Sequence, residues 1–305
     1  MGTHPAAPAR PRPQPLARPG IRAAAAAAAW YLIASGNVAE AVALAQPLRE
    51  QWRDRFGPDH PQALEIASAL GTALRGLGRY EQARTLNADT LARRRALHGD
   101  DHPDTLSAAS NLANDLQCLG QFGAARELHE DTFRRRQRVL GDDHSDTLRT
   151  ADNLANDLHQ LGDAQRAREL HQDALTRRRR LQGDDHPDAL RTANNLANDL
   201  HQLGDYHGAR DLHQDTLTRR RRLQGDDHPD TLGTANNLAE DLRQLGEFHA
   251  ARELDEDTLA RRRRVLGEDH PHTRHSAQNL AEDLRALGEA PGNREIGQPE
   301  QGTHG

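Results

Sequence analysis

Apolar positions between Gly183 and Arg222 form two successive helical stripes. Leu190, Ala193, Leu196, Ala197, Leu200 and Leu203 recur at steps of three and four, which at 100° per residue puts them on one face of a helix. Pro187 follows Asp184, Asp185 and His186, and proline suits a first helical position because the N–H it lacks is one that a helix start leaves unbonded. The first helix therefore begins at His-Pro and stops at Gly204, where glycine tolerates the left-handed backbone of a C-terminal cap. Asp205 is placed to cap a second helix, whose stripe of Tyr206, Ala209, Leu212, Leu217 and Leu223 is thinner and ends at Gly225. His213, Thr216 and Arg220 lie close to its inward direction. The pattern predicts two antiparallel helices of roughly 16 to 19 residues, each about 25 Å long.

The same pattern returns along the chain. His60, His102, His144, His186, His228 and His270 are 42 residues apart, as are Gly36, Gly78, Gly120, Gly162, Gly204, Gly246 and Gly288. A hairpin of two helices buries too little surface to stand alone, so a fixed period of this length predicts a stack in which neighbours complete one another's core. The register gives six helix pairs plus one closing helix from Pro271 to Leu287, whose open edge leaves self-association as an alternative to a plain cap. Residues 20–288 form the array; residues 1–19, rich in proline and arginine, read as a disordered leader, and 289–305 as a disordered tail. The run from Arg22 to Gly36 imitates a signal peptide, but Gly36 and Ala41 hold the register of the later copies, which makes it the first helix of an alanine-rich opening repeat. It is too short to cross a membrane.

Asn195-Leu196-Ala197, Leu200, Gly204-Asp205-Tyr206 and Ala209 resemble the tetratricopeptide repeat. The 42-residue length and the closing G-D-D-H-P-D-T-L are similar to the longer variety found in kinesin light chains and many bacterial repeat proteins. The likeness covers about residues 21 to 288 and departs from the family at Ala193 and His213, where aromatics are usual, and at Thr216, where a small alanine is usual. It implies an all-α, right-handed superhelical solenoid of antiparallel helix pairs. The implied role is a protein-protein interaction scaffold, not an enzyme, that binds an extended peptide segment of a partner in its concave groove. The resemblance also extends to the sensing or regulatory arms of bacterial signalling ATPases.

The polar face of the first helix is where such a segment would bind. Arg191, Asn195, Asn198 and Gln202 are spaced four, three and four and share one face. In the family this face lines the groove, and matching asparagines hold the backbone of a bound peptide. Asn111, Asn153 and Asn237 are equivalent to Asn195, Asn114 and Asn156 to Asn198, Arg149 to Arg191, and Gln160 to Gln202. An amide donates and accepts at once, so a row of amides can pair with successive peptide groups whatever the side chains. The competing reading is of solvated polar positions copied by duplication.

Composition changes this picture little. The formal net charge of −6 gives no drive towards nucleic acid or anionic membrane. The arginine runs 93–95, 134–136, 177–180, 219–222 and 261–264 raise nucleic acid as the alternative partner, but four consecutive helical residues point in four directions and acids stand nearby, Asp215 four residues before Arg219. The repeated Asp-Asp-His-Pro-Asp has a structural reason at a helix start, and copies about 10 Å apart are too distant to share a metal ion. No H-E-x-x-H, G-x-S-x-G, C-x-x-C or G-x-x-x-x-G-K-[ST] occurs, so no cofactor or catalytic residue is expected. A single cysteine, Cys118, fits a cytoplasmic setting, and arginine without lysine points to a GC-rich bacterial genome.

Overall fold

A computed structural model describes residues 19–288. The leader expected over 1–19 lies, but for Pro19, outside the described residues, as does the tail expected over 289–305. Among the described residues there are thirteen helices and no strand. The first helices of the pairs are α1 (Pro19–Ala34), α3 (Pro61–Gly76), α5 (Pro103–Cys118), α7 (Ser145–Gln160), α9 (Pro187–Gln202), α11 (Pro229–Gln244) and the unpaired α13 (Pro271–Ala286). The second helices are α2 (Val38–Phe56), α4 (Tyr80–His98), α6 (Phe122–Leu140), α8 (Ala164–Gln182), α10 (Tyr206–Gln224) and α12 (Phe248–Leu266).

The corners follow from local chemistry. In the repeating hairpin, Gly204 (φ 81°) separates α9 from α10 and Gly225 (φ 88°) ends α10, both in the left-handed region that glycine alone enters freely. The histidine before the first residue of these helices has a structural task that its sequence did not announce. His186 Nδ1 accepts the backbone N–H of Asp188 at 3.2 Å, and His102, His144, His228 and His270 repeat the bond. Imidazole thus serves as the N-cap that Ser or Asp more often supplies. Asp205 caps α10 as expected, accepting from the N–H of Gly208 at 3.0 Å.

The fold divides within α7 into two compact units, one ending at Asp157 and one beginning at Leu158. In the first unit the helices from α1 to α6 each pack on the next along the chain, and in the second so do those from α8 to α13. In the second, Leu175 of α8 packs with Ala189, Ala193 and Leu196 of α9 and with Leu212 of α10. Leu217 of α10 then packs with Ala235, Leu238 and Leu242 of α11 and with Ala251 of α12. Each cluster draws on three successive helices, so no hairpin completes its own core, as the thin second stripe demands. The first unit opens on a richer cluster in which Ala29, Ala41, Ala45, Trp52, Ile66 and Ala73 are sealed from solvent.

Two positions of the expected stripes face solvent. Leu203 is 43% exposed because it is the C-cap residue beyond the last turn of α9. Leu223 is 47% exposed in the last turn of α10, where the inward positions before it are filled by His213, Thr216 and Arg220, all buried.

Candidate functional site

The residues expected to form the site all sit on first helices. Asn111, Asn114, Asn153, Asn156, Asn195, Asn198, Asn237 and Arg149 are half-buried, while Gln160, Arg191 and Gln202 are exposed. The amides are partly engaged with one another. Asn153 Nδ2 donates to Asn114 Oδ1 and Asn237 Nδ2 to Asn198 Oδ1, each at 3.0 Å. Since an amide has two N–H donors and a two-lone-pair carbonyl, these bonds leave the N–H groups of Asn114 and Asn198 and the carbonyls of Asn153 and Asn237 with capacity to spare. Arg149 and Arg191 each reach back one turn, to Asp146 at 2.8 Å and Asp188 at 3.0 Å.

Two cavities open on this face. One in the first unit, of about 400 Å³, brings together Asn111, Asn114 and Arg149 with Trp30, Glu65 and Arg75. One in the second unit, of about 370 Å³, brings together Asn198, Gln202 and Asn237 with His159, His201 and Glu240. Asn153 meets the first cavity only through Asn114; Asn156, Gln160, Arg191 and Asn195 line neither.

Beneath this face runs a network that the sequence reading missed. Asp115, Asp157, Asp199, Asp241 and Asp283, at one register in α5, α7, α9, α11 and α13, are buried completely. The first four are held from two directions, by the side chain 40 residues earlier on the preceding first helix and by the side chain 28 residues earlier on the preceding second helix. Asp199 Oδ1 is 2.7 Å from His159 Nδ1 and its Oδ2 is 2.6 Å from His171 Nδ1. Asp241 repeats this with His201 at 2.7 Å and His213 at 2.6 Å. Asp157 takes Gln117 and His129, each at 2.7 Å, and Asp115 takes Arg75 at 2.8 Å and Asn87 at 2.5 Å. Asp283 takes Arg243 at 2.8 Å, and the second-helix position is Asp255. A carboxylate removed from water is stable only when its charge and lone pairs are answered, and here each is answered by the hairpin before it.

These surroundings move the titrations. The hydrogen bond to Asp241 raises His201 above the usual imidazole value, against a smaller opposing effect of burial. Burial raises Asp115, with Asn87 and Arg75 opposing. Burial pushes Asp255 up to about 8, opposed by Arg243 and reinforced by Asp283. Asp283 Oδ2, the oxygen that faces the histidine in the other copies, has no donor, and neither has Asp255 Oδ1. A proton held by Asp255 satisfies both.

A signal for this network exists in the sequence, as joint change within the repeats. In the opening pair the three equivalent positions are Ile33, Ala45 and Ala73, so the aspartate and both its partners turn apolar together. Where Arg243 replaces the first-helix histidine, Asp255 replaces the second. Reading each aspartate alone, as one more polar residue in a helix, hides the coupling.

The arginine runs divide into two roles. One arginine of each is buried: Arg178 Nη1 donates to the carbonyl of Asp188 at 2.9 Å and to Thr192 Oγ1 at 2.5 Å, and Arg136 and Arg220 do the same one period away. Others are tied to acids of the preceding repeat's loop, Arg219 and Arg222 to Asp185 and Arg261 and Arg264 to Asp227. Those arginine bonds hold Asp185 and Asp227 below the ordinary carboxylate range. Cys118 is exposed, and partial burial of its thiol raises its pKa, which keeps it in the less reactive protonated form. Among the described residues no three His, Cys, Asp or Glu side chains are arranged to hold a metal ion, and no helix is long and apolar enough to cross a membrane.

Hairpins of fixed length, joined through one another's cores and presenting a polar row on their first helices, define a helical repeat protein. The tetratricopeptide repeat family matches residues 22–96, 68–137, 104–180, 148–222, 188–260 and 230–291, and the chain belongs to that family. Solved structures share the fold. BtubC (BKLC) from P. vanneervenii is 20% identical, over 88% of this chain and 99% of that one, with a TM-score of 0.60. Nearly identical TPR-like repeats of kinesin light chain type from Podosopora anserina are 24% identical over 68% and 98% of the two chains, with a TM-score of 0.58. The structure of NprR with its cognate peptide NprX is 15% identical over 88% and 79%, with a TM-score of 0.59. A comparison with curated protein sequences gives no match.

Proposed function

We propose that this chain is a non-catalytic interaction scaffold that binds an extended segment of a partner protein along the polar face of its first helices. The observation that carries the reading is the pairing of Asn114 with Asn153 and of Asn198 with Asn237 beside open cavities, which fixes amide donors and acceptors in place before any ligand arrives. Preset amides suit a peptide backbone, whose groups offer the complementary pattern at every residue. The kinship with NprR, a structure solved with its cognate peptide, supports the same reading. A role as a sensing or regulatory arm draws support from the likeness to a signal transduction ATPase with a tetratricopeptide repeat sensor from Pyrococcus horikoshii, 14% identical and with a TM-score of 0.65. Nucleic acid is a poorer fit, because the arginines that would meet phosphate are bonded to loop acids or buried against helix starts. A cytoplasmic location in a bacterium is part of this proposal.

A display library of random peptides about twelve residues long, able to extend over about 40 Å, tests it. The full chain is expected to enrich specific sequences. Replacing Asn153, Asn156, Asn195 and Asn198 together by alanine is expected to weaken their binding at least tenfold while helicity by circular dichroism stays the same. Undiminished capture by the fourfold variant would count against the face.

A further inference from the structure

The cavity of the second unit has a charge-bearing wall as well as amides. His201 of α9 is 28% exposed and its Nδ1 lies 2.7 Å from Asp241 Oδ1; the aspartate is fully buried. The other oxygen of Asp241 is 2.6 Å from Nδ1 of His213, which is itself 1% exposed. One buried carboxylate thus stands between two imidazoles, and an added proton on either one answers its charge. The two rings are unequal hosts. Nε2 of His213 has no partner, so a proton there would make a buried N–H without an acceptor, which costs about 1–3 kcal/mol. His201 lines the cavity and its Nδ1 is committed, so its Nε2 is the nitrogen left for the cavity side. The proton is better placed on His201, where it turns an acceptor into a charged donor.

We propose that the cavity over His201, flanked by Asn198 and Asn237, is a proton-linked subsite for a carboxylate of the bound segment. The proposal rests on the peptide-binding reading of this face. The surrounding charges permit it. From α11, Asp241 lies buried behind the imidazole, and Glu240 on the cavity wall is bonded to Arg243 at 2.9 Å, a cation it shares with Asp283, so the attraction for a carboxylate has to come from the protonated His201. From α10, His213 shares Asp241 with His201 at 2.6 Å, and the Tyr206 ring lies edge-to-face with His201 at 5.1 Å, which fixes the imidazole plane. From α7, His159 borders the same cavity with its Nδ1 held 2.7 Å from Asp199. The N–H groups of Asn198, whose carbonyl is already taken by Asn237, supply further donors beside His201. A carboxylate entering there meets an imidazolium N–H and amide N–H groups, the charge-assisted pattern that binds anions most strongly.

The test uses the same twelve-residue library, displayed with free or amidated C-termini and selected at about pH 6 and about pH 8.5, on either side of the range in which histidine changes charge. At the lower pH the full chain is expected to enrich peptides with Asp or Glu at a fixed position; enrichment only with free C-termini assigns the carboxylate to the chain end instead. A synthetic copy of the best peptide is expected to bind about tenfold more weakly at the higher pH, the order of one charge-assisted hydrogen bond. His201→Gln should bind weakly at both pH values. Glutamine already fills this register at Gln117, where it donates to Asp157 at 2.7 Å, so the variant keeps a donor for Asp241 and its helicity should be unchanged. Captured peptides without a carboxylate preference, or a pH slope retained in full by His201→Gln, would overturn the subsite and leave the peptide-binding face standing. Failure to capture any peptide at either pH would overturn both.

Discussion

Asp255 shows how one residue's charge state is written by its register. In α6, α8 and α10 the position is histidine, which donates to the buried aspartate of the following first helix. In α12 it is a carboxyl beside another carboxyl, and the fixed cation Arg243 occupies the third corner. Arg243 answers one negative charge, so the second carboxyl retains its proton, and Asp255 then does what Asn87 does beside Asp115 and Arg75. Its value rises from 3.8 to about 8. Between those limits the folded chain holds a proton that the unfolded chain has shed, so this group's contribution to stability declines as pH rises through the window. Asp255→Asn keeps the donor and removes the titration. Urea unfolding is expected to show the variant gaining on the parent from about pH 5 to about pH 8, with the difference levelling off above. A difference that stays constant with pH would mean that Asp255 is ionised throughout.

At the scale of the helix pair, the question is what joins one hairpin to the next. Periodicity read the apolar part of the answer well: Leu190, Ala193, Leu196 and Ala197 are buried, and α9 and α10 begin and end at the positions marked by Pro187, Gly204, Asp205 and Gly225. The inward placing of His213, Thr216 and Arg220 was legible too. The aspartates were not, because a mid-helix Asp has the same hydropathy whether it meets water or an imidazole, and its partners lie 28 and 40 residues away. The chain contains an apolar version of the same joint in Ile33, Ala45 and Ala73, of which both alanines are fully buried. Asp199→Ala alone leaves His159 and His171 without their acceptor and is expected to destabilise the chain by about 3–5 kcal/mol. Combining it with His159→Ile and His171→Ala rebuilds the apolar joint, and thermal or urea unfolding should then return to within about 1 kcal/mol of the parent. A triple variant no more stable than the single one would show that the network holds more than this joint together.

Across the molecule, a solenoid places its specificity on whatever the hairpin joints leave uncovered. The second helices give their inward face to the core and their arginines to loop acids, while the first helices hold their aspartates below and their amides above. The amide rows at Asn114, Asn153, Asn198 and Asn237 were legible because their spacing is helical and repeats. Their pairing with one another, and the histidines beside them, were not, since both depend on how successive helices stack and neither follows from one helix alone. The same geometry occupies part of the arginine charge within the chain, Arg136, Arg178 and Arg220 at helix-start carbonyls and Arg219, Arg222, Arg261 and Arg264 at loop acids.

The most direct measurement of this account is an NMR titration of the chain, labelled with ¹⁵N, with a peptide selected from the random library. Binding is expected to shift the side-chain amides of Asn114, Asn198 and Asn237 and the ring nitrogens of His201, while the guanidinium signals of Arg219, Arg222, Arg261 and Arg264 on the second helices stay in place. Shifts confined to those arginines, with the asparagine amides unmoved, would contradict it.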